Sequence, residues 1–271
     1  MRTKEEIIKE LNEHAVKLSR TPGRRDVHWK FYYDCVNEFG SLNEAKKAAG
    51  LKTFKRTADI LSEDVKEKTL ELVRIVSYIT GDGHLHKDLK GFLHSSKDIN
   101  SLKNFEECVR KQFGIEVSKI QEANDTAYGE GTQYRYFNTA VAKFLYEIGT
   151  PRGDKVITVF EIPDWIREDS KFMVEYLKIL FYCEGSKTKE ESNIKIAMSK
   201  ADKILVDGQR FMGSLAQSLD EIGIKTTRVW TSKAKRRNKD NEETTVVAFG
   251  IRRAYIDKFL KEVGWLNSTS E

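Results

Sequence analysis

Two carboxylates stand out by where they fall. The stretch SYITGDGHL (77–85) closes an apolar run, LVRIVSYI, with Asp82 set between Gly81 and Gly83. A second stretch, EYLKILFYCEGSK (175–187), closes its own apolar run with Glu184, and Gly185 comes next. The two acids lie 102 residues apart. A helix dipole disfavours an acid at the C-terminal end, so the recurrence calls for a chemical reason. Paired carboxylates offer the hard oxygen donors that Mg2+ prefers, completed by phosphate oxygens and water. Lysines recur beside them. Lys97 lies 15 residues after Asp82, Lys200 lies 16 after Glu184, and Lys187 stands three after Glu184. An ammonium near such a centre can polarise water or stabilise a leaving group. His84 and His86 would share a face on a strand; with no third ligand in the sequence, polar contact or solvation is the simpler expectation.

These side chains need elements to position them. Leu72, Ile75, Val76 and Ile79 share one helical face, and Asp82 continues it; Leu177 and Phe181 lead to Glu184 in the same way. Ser62, with Glu63 and Asp64, is expected to open the first helix, and Ser170 to cap the second. The segments after the two acids are similar too. FLHSSKDINSLKNFEECVRKQFGI (92–115) and IKIAMSKADKILVDGQRFMGSLAQSLDEIGI (194–224) both read strand, Ser-Lys, helix, Gly-Ile. QYRYFN (133–138), TTRVW (226–230) and TTVVAFGI (244–251) alternate as strands do. Closely similar helices then end each copy, KFLYEIG (143–149) and KFLKEVG (258–264). A duplication of this length predicts two similar α/β units related by a pseudo-twofold axis.

Before the duplication, residues 4–18 carry Ile7, Leu11, Val16 and Leu18 among Lys and Glu. A turn (TPGRRD, 21–26) leads to a second helix ended by Gly40, and Ser41 with Glu44 forms a capping box for a third. Residues 1–52 thus read as a small helical module, 53–64 as a linker, 65–163 as the first half and 164–271 as the second. With 33 % charged residues and a net charge of +5, the chain reads as soluble, and no apolar segment is long enough for a membrane span. The charged start, MRTKEEIIKE, lacks the apolar core of a signal peptide, which predicts an intracellular protein, cytoplasmic and nucleoid-associated. Cys35, Cys108 and Cys183 are widely spaced and form no CxxC pair, so neither a zinc ribbon nor a disulfide framework is expected. Basic clusters at 17–30 and 225–239, the latter free of acids, suit a polyanion.

With these residues in view, the two acid-ended helices, IVSYITGDG (75–83) and LKILFYCEG (177–185), resemble the LAGLIDADG motif of homing endonucleases. YEIGTPRGDKVITVFEIPDWI (146–166) is similar to that family's connection between halves. The likeness covers roughly residues 65–265. RTPGRRD (20–26) with FGSLNEAKKAAGL (39–51) resembles a separate module, the homing-endonuclease-associated repeat. Together they imply an α+β fold: two pseudo-symmetric αββαββα halves forming a β-saddle, preceded by a small all-α domain.

The resemblance also implies roles. Asp82 and Glu184 would hold Mg2+, with Mn2+ able to substitute, and Gly81 and Cys183 would belong to the same metal site. Lys97, Lys187 and Lys200 would assist catalysis, Lys97 and Lys187 foremost. Ser77, Gly81, Ile179 and Cys183 would pack the motif helices. Ile179 is bulky for that place and predicts a wider separation there, and Lys178 must snorkel out of the interface. Arg24, Arg25, Tyr134, Arg135, Lys195, Arg228, Trp230, Lys233, Lys235, Arg236 and Arg237 are the expected DNA contacts. The implied function is a monomeric, site-specific double-strand DNA endonuclease without an obligate protein partner. A non-cleaving DNA-binding regulator and an intron RNA maturase are the alternatives, which keeps RNA as a second partner. The chain lacks the terminal Cys/Ser and His-Asn of protein-splicing elements, so an intact intein is not expected.

Overall fold

The computed structural model describes residues 2–24, 26–53, 61, 63–126, 129–188, 193–233 and 236–265. The chain divides into two compact units, Met1–Asp59 and Ile60–Glu271.

The first unit is helical. Helix α1 (Lys4–Leu18) starts at a capping box in which the Thr3 hydroxyl accepts from the Glu6 amide while the Glu6 carboxylate accepts from the Thr3 amide. Helix α2 (Trp29–Phe39) ends where Gly40 turns left-handed at φ 79°, and Ser41 caps helix α3 (Leu42–Ala48) by accepting from the Glu44 amide at 3.1 Å. Ile7, Leu11, Phe31, Cys35, Leu42 and Ala45 make its core. Val16 departs from expectation and is exposed. Nine residues are about two and a half helical turns, which puts Val16 opposite Ile7.

The second unit holds the duplication. After a short helix α4 (Glu63–Lys66), the first half runs α5 (Leu70–Thr80), β1 (His84–Leu85), β2 (Phe92–Ser96), α6 (Ile99–Phe113), β3 (Lys119–Thr126), β4 (Gly129–Tyr136) and α7 (Thr139–Glu147). A single turn, α8 (Asp164–Arg167), leads to the second half: α9 (Ser170–Glu184), β5 (Gly185–Lys187), β6 (Ile194–Ala201), α10 (Leu205–Glu221), β7 (Trp230–Lys233), β8 (Thr244–Gly250) and α11 (Ile256–Glu262). Each half is αββαββα. Both sheets are antiparallel, with the same order: β1-β2-β4-β3 and β5-β6-β8-β7.

Three boundaries differ from the sequence expectation. The first motif helix starts at Leu70 with Thr69 as its cap; Ser62 lies outside the described residues. The Gln112 amide donates to the carbonyls of Val65 and Glu67, which a continuous helix would have used itself, and so holds the break. The second motif helix is capped by Asp169 instead of Ser170, its carboxylate accepting from the amides of Lys171 and Phe172. In TTRVW only Trp230 is strand; Thr226 makes an isolated bridge to Ile251.

The motif helices α5 and α9 run through the main core. Leu72, Val73, Ile75, Val76, Tyr78 and Ile79 are fully buried on α5, as are Tyr176, Leu177, Ile179, Leu180 and Phe181 on α9. A helix that is apolar nearly all round is one enclosed by protein. Truncating any of these large residues to Ala should cost about 2–5 kcal/mol. The buried hydroxyls of Ser77 and Thr80 donate to the carbonyls of Val73 (2.7 Å) and Val76 (2.8 Å), so they add no unsatisfied donor. Arg74 of α5 bonds Glu175 of α9 at 2.6 Å and fixes the pair in register.

Candidate metal centre and nucleic-acid faces

The motif helices meet where they end. A Cβ built on Gly81 would stand 2.4 Å from the Cβ of Cys183, so no side chain fits there and the backbones approach closely. Ile179, where a wider spacing is expected, lies one helical turn before this contact and is fully buried in the core cluster. Lys178 is half-buried and its stem passes Gly264, clear of the contact. Gly83 and Gly185 are also under steric demand, with a Cβ at 2.7 Å from the Leu93 carbonyl oxygen and 2.1 Å from the Phe181 carbonyl oxygen respectively. This closeness is what brings the two acids together.

Their environment shows in their titration. Desolvation by the surrounding protein raises the Glu184 carboxyl to about 7; the Lys155 ammonium opposes this and the Asp82 charge adds to it. Asp82 is exposed to solvent, yet the protein packed around it raises its carboxyl to about 6, again against Lys155. Each acid therefore feels the same cation. Lys155 reaches in from the connection between the halves and donates to the carbonyls of Ile79 at 3.0 Å, Gly83 at 2.9 Å, and Gly81. Burial lowers its own pKa, with Glu184 and Asp82 working the other way.

Of the three lysines expected at the centre, Lys200 is the one placed inside. It is buried, donates to the Lys155 carbonyl at 2.8 Å, and lies over the Phe160 ring at 3.8 Å. Desolvation, helped by the Lys155 charge, lowers it to about 8. Gly208 on α10 makes the space, since a Cβ there would stand 2.6 Å from Lys200 Cγ. Lys97 is exposed beyond β2, and Lys187 is exposed and lies over Trp265. Sequence reasoning passed over Lys155. The signal was present as the lysine of PRGDK in the connecting segment, but no spacing rule tied it to the acids.

The oxygen-rich donor set suits a hard divalent ion. Asp82 and Glu184 could hold one through their carboxylates, and the Lys155 ammonium among the carbonyls shows that this pocket accommodates positive charge. His84 and His86 have ring centroids 5.6 Å apart, and burial lowers the His84 pKa. Among the described residues no group of three or more His, Cys, Asp or Glu forms a metal site.

The expected DNA contacts separate by burial. Arg135 on β4 donates twice to Gln133, and cross-strand register sets Arg135 beside Lys119 and Gln133 beside Gln121 on one sheet face. Lys195, Arg228, Trp230, Lys233 and Arg236 are exposed in the second half. Tyr134 is not available for contact. It points inward opposite His94 and is buried in the core, because period-two alternation puts it on the face opposite Arg135. Arg237 is drawn inward as well, bonding Asp154 at 2.8 Å and also Asp240. In the helical unit Arg24 lies over the Tyr32 ring at 4.1 Å, and the turn is closed by Arg20, which donates twice to Asp26. That pairing, with the Gly23 amide, lowers Asp26 to about 2. Arg25 and Lys235 lie outside the described residues.

Geometry and topology thus define, in the second unit, a duplicated αββαββα fold whose halves share one acidic centre; the first unit is a separate three-helix body. Residues 2–52 match the family of the homing endonuclease associated repeat, which bears out the resemblance of the N-terminal unit. Curated relatives match part of the chain. The tRNA-splicing ligase RtcB of Methanopyrus kandleri is 29 % identical over 171 residues, 58 % of this chain and 17 % of that protein. The replication factor C small subunit of Methanocaldococcus jannaschii is 27 % identical over 199 residues, 69 % of this chain and 11 % of that protein. The RNA polymerase subunit Rpo1N of the same organism is 28 % identical over 182 residues, 58 % and 13 % of the two chains. The chain spans less than a fifth of the length of these relatives. Among solved structures, the N-terminal LAGLIDADG domain of DUF199/WhiA is 15 % identical with a TM-score of 0.42, covering 82 % of this chain and 98 % of that one. No helix among the described residues is long and apolar enough to cross a membrane.

Proposed function

We propose that the chain is a site-specific DNA endonuclease of LAGLIDADG type, hydrolysing a phosphodiester in each strand of a double-stranded target. The observation that carries this reading is the meeting of Asp82 and Glu184, one from each duplicated half, at the ends of two touching helices. Mg2+ bound by the two carboxylates would neutralise phosphate charge and acidify a bound water. The chain's own groups supply the rest. Lys155 keeps two neighbouring carboxylates from repelling each other apart. Lys200, titrating near 8, can give or take a proton at neutral pH. The Arg135, Gln133, Gln121 and Lys119 face offers donors and acceptors that base edges require, while Lys195 suits phosphate.

The relatives support a mobile module. Similar segments occur within a tRNA-splicing ligase, a replication factor and an RNA polymerase subunit, each a small share of the protein. A segment common to three differently named proteins does not perform all three tasks. A nuclease that cuts DNA at a defined site and spreads its own coding sequence would give that distribution. The match to the homing endonuclease associated repeat points the same way.

The test is cleavage of a randomised-site plasmid library with Mg2+, wild type beside the Asp82→Asn/Glu184→Gln double variant. Cutting at a recovered sequence by wild type alone is expected. DNA retention by both proteins with cutting by neither would overturn the nuclease in favour of a non-cleaving DNA-binding protein. The engagement of the Gly81 carbonyl by Lys155 is the observation that favours that second reading.

A further inference from the structure

The first half's cation seat already contains a cation. An ammonium has three N–H donors. Those of Lys155 meet three backbone carbonyls, Ile79 at 3.0 Å, Gly83 at 2.9 Å, and Gly81. The same group faces both Asp82 and Glu184. Carbonyls converging on one positive centre, with carboxylates beside them, are the donor pattern of a hard-metal site. Gly81 matters most, because its carbonyl immediately precedes Asp82 and is one of the oxygens expected to bind metal.

The lysine is held there from both halves. On the first side, the Gly153 amide donates to the Leu85 carbonyl at 2.8 Å. On the second, the Ala201 amide donates to the Val156 carbonyl, Lys200 to the Lys155 carbonyl, and Arg237 to Asp154, each at 2.8 Å. At the matching end of the second motif helix the neighbour is different: the Trp265 ring stands 2.9 Å from where a Cβ on Gly185 would be. The ends of the two motif helices therefore have different neighbours, an ammonium in the first half and an indole in the second, although the folds are alike.

We propose that Lys155 is a resident cation in the first half's metal seat. The chain then takes a divalent ion on the Glu184 side, and the Gly81 carbonyl admits one only when Lys155 is withdrawn. The inference rests on the endonuclease reading for the role of the two acids. Its physical basis is exclusion: a metal at about 2 Å from the Gly81 oxygen would sit against an ammonium bound to that same atom, and like charges at such range repel strongly. In an endonuclease the two strands would then not be cut on equal terms, and a nicked intermediate would accumulate.

The experiment is Mn2+ binding to the full chain without DNA, by calorimetry and electron paramagnetic resonance, for wild type and Lys155→Met. Wild type should bind about one Mn2+ and Lys155→Met about two, the added ion at least about tenfold tighter than any second ion on wild type. Equal stoichiometry and affinity in the two proteins, or no binding to either, would overturn the proposal. Should Lys155→Met fail to fold, the wild-type chain labelled with 15N-lysine serves instead. The protected Lys155 ammonium resonance should persist when one equivalent of Mg2+ is bound, and its loss at that point would overturn the proposal. A protein that behaves as expected here yet cuts no site in the plasmid library would sink the nuclease reading alone; one that cuts but gains no ion on Lys155→Met would sink only this inference.

Discussion

Glu184→Gln should make the protein more stable at neutral to slightly alkaline pH while abolishing cleavage. Burial raises the Glu184 carboxyl to about 7, against 4.5 for an ordinary glutamate. The folded state thus holds its proton more tightly than the unfolded chain does. That contribution to stability is complete below about pH 4.5 and is lost as pH rises through about 7. A tenfold difference in proton affinity is worth about 1.4 kcal/mol, so the ceiling is ~3 kcal/mol. The side chain keeps some access to solvent, and Lys155 loses a partner in the variant, which together reduce the expected gain to roughly 1–2 kcal/mol. For a unit of this size that is a rise in Tm of roughly 2–8 °C. The assay is thermal and urea denaturation from about pH 5 to 7.5, below the range where Lys200 adds its own slope. Wild type should lose stability across that window and Glu184→Gln should lose less, the curves converging at the acid end. Parallel curves would refute the reasoning, since the acid would then not be buried at a cost.

Other outcomes rest on the same geometry. Gly81→Ala puts a methyl into Cys183 and should destabilise by about 1–3 kcal/mol in urea unfolding, with most of the loss recovered in Gly81→Ala/Cys183→Gly. If the two carboxylates hold metal as proposed, they must be ionised to do so, and with values of about 6 and about 7 the Mn2+ affinity should climb steeply from about pH 5.5 to 7.5 and then level off, with proton release on binding visible in calorimetry. Arg135→Ala should relax base preference at one position by about 1–3 kcal/mol, whereas Lys195→Ala should weaken all sequences alike and lower the salt slope by about 1. Tyr134→Ala should instead cost about 3–5 kcal/mol of stability and leave sequence preference unchanged. Selections on the target library check the DNA variants, and denaturation checks Tyr134.

Covalent order carried a good deal of this protein. Apolar spacing before Asp82 and Glu184, the matched strand, helix and closing segments, and the caps at Ser41 and Gly40 are local patterns, and the helices and strands they dictate are those observed. The start of α5 was less legible, because the break at residues 67–69 is held by Gln112, a partner more than forty residues away. Residue types marked the acids, for a carboxylate ending an apolar helix is anomalous wherever it occurs. The lysines were a different matter. A chain rich in lysine offers many candidates, and what separates Lys200 from Lys97 is burial behind Phe160 and beside Gly208.

Arg237 shows the same division at a single side chain. In the sequence it is one basic residue in a basic run, equivalent to its neighbour Arg236. In the fold it turns inward to Asp154, while Arg236 stays in solvent. Pattern and composition determined the duplication, the helical module and the identity of the acids, since each depends on residues near one another along the chain. Only tertiary structure decided that the acids share one cation, that this cation is Lys155 from the segment between the halves, and that Gly81 and Cys183 are where the helices touch. Those facts depend on groups brought together across roughly thirty to a hundred residues, and sequence spacing holds no distance between them.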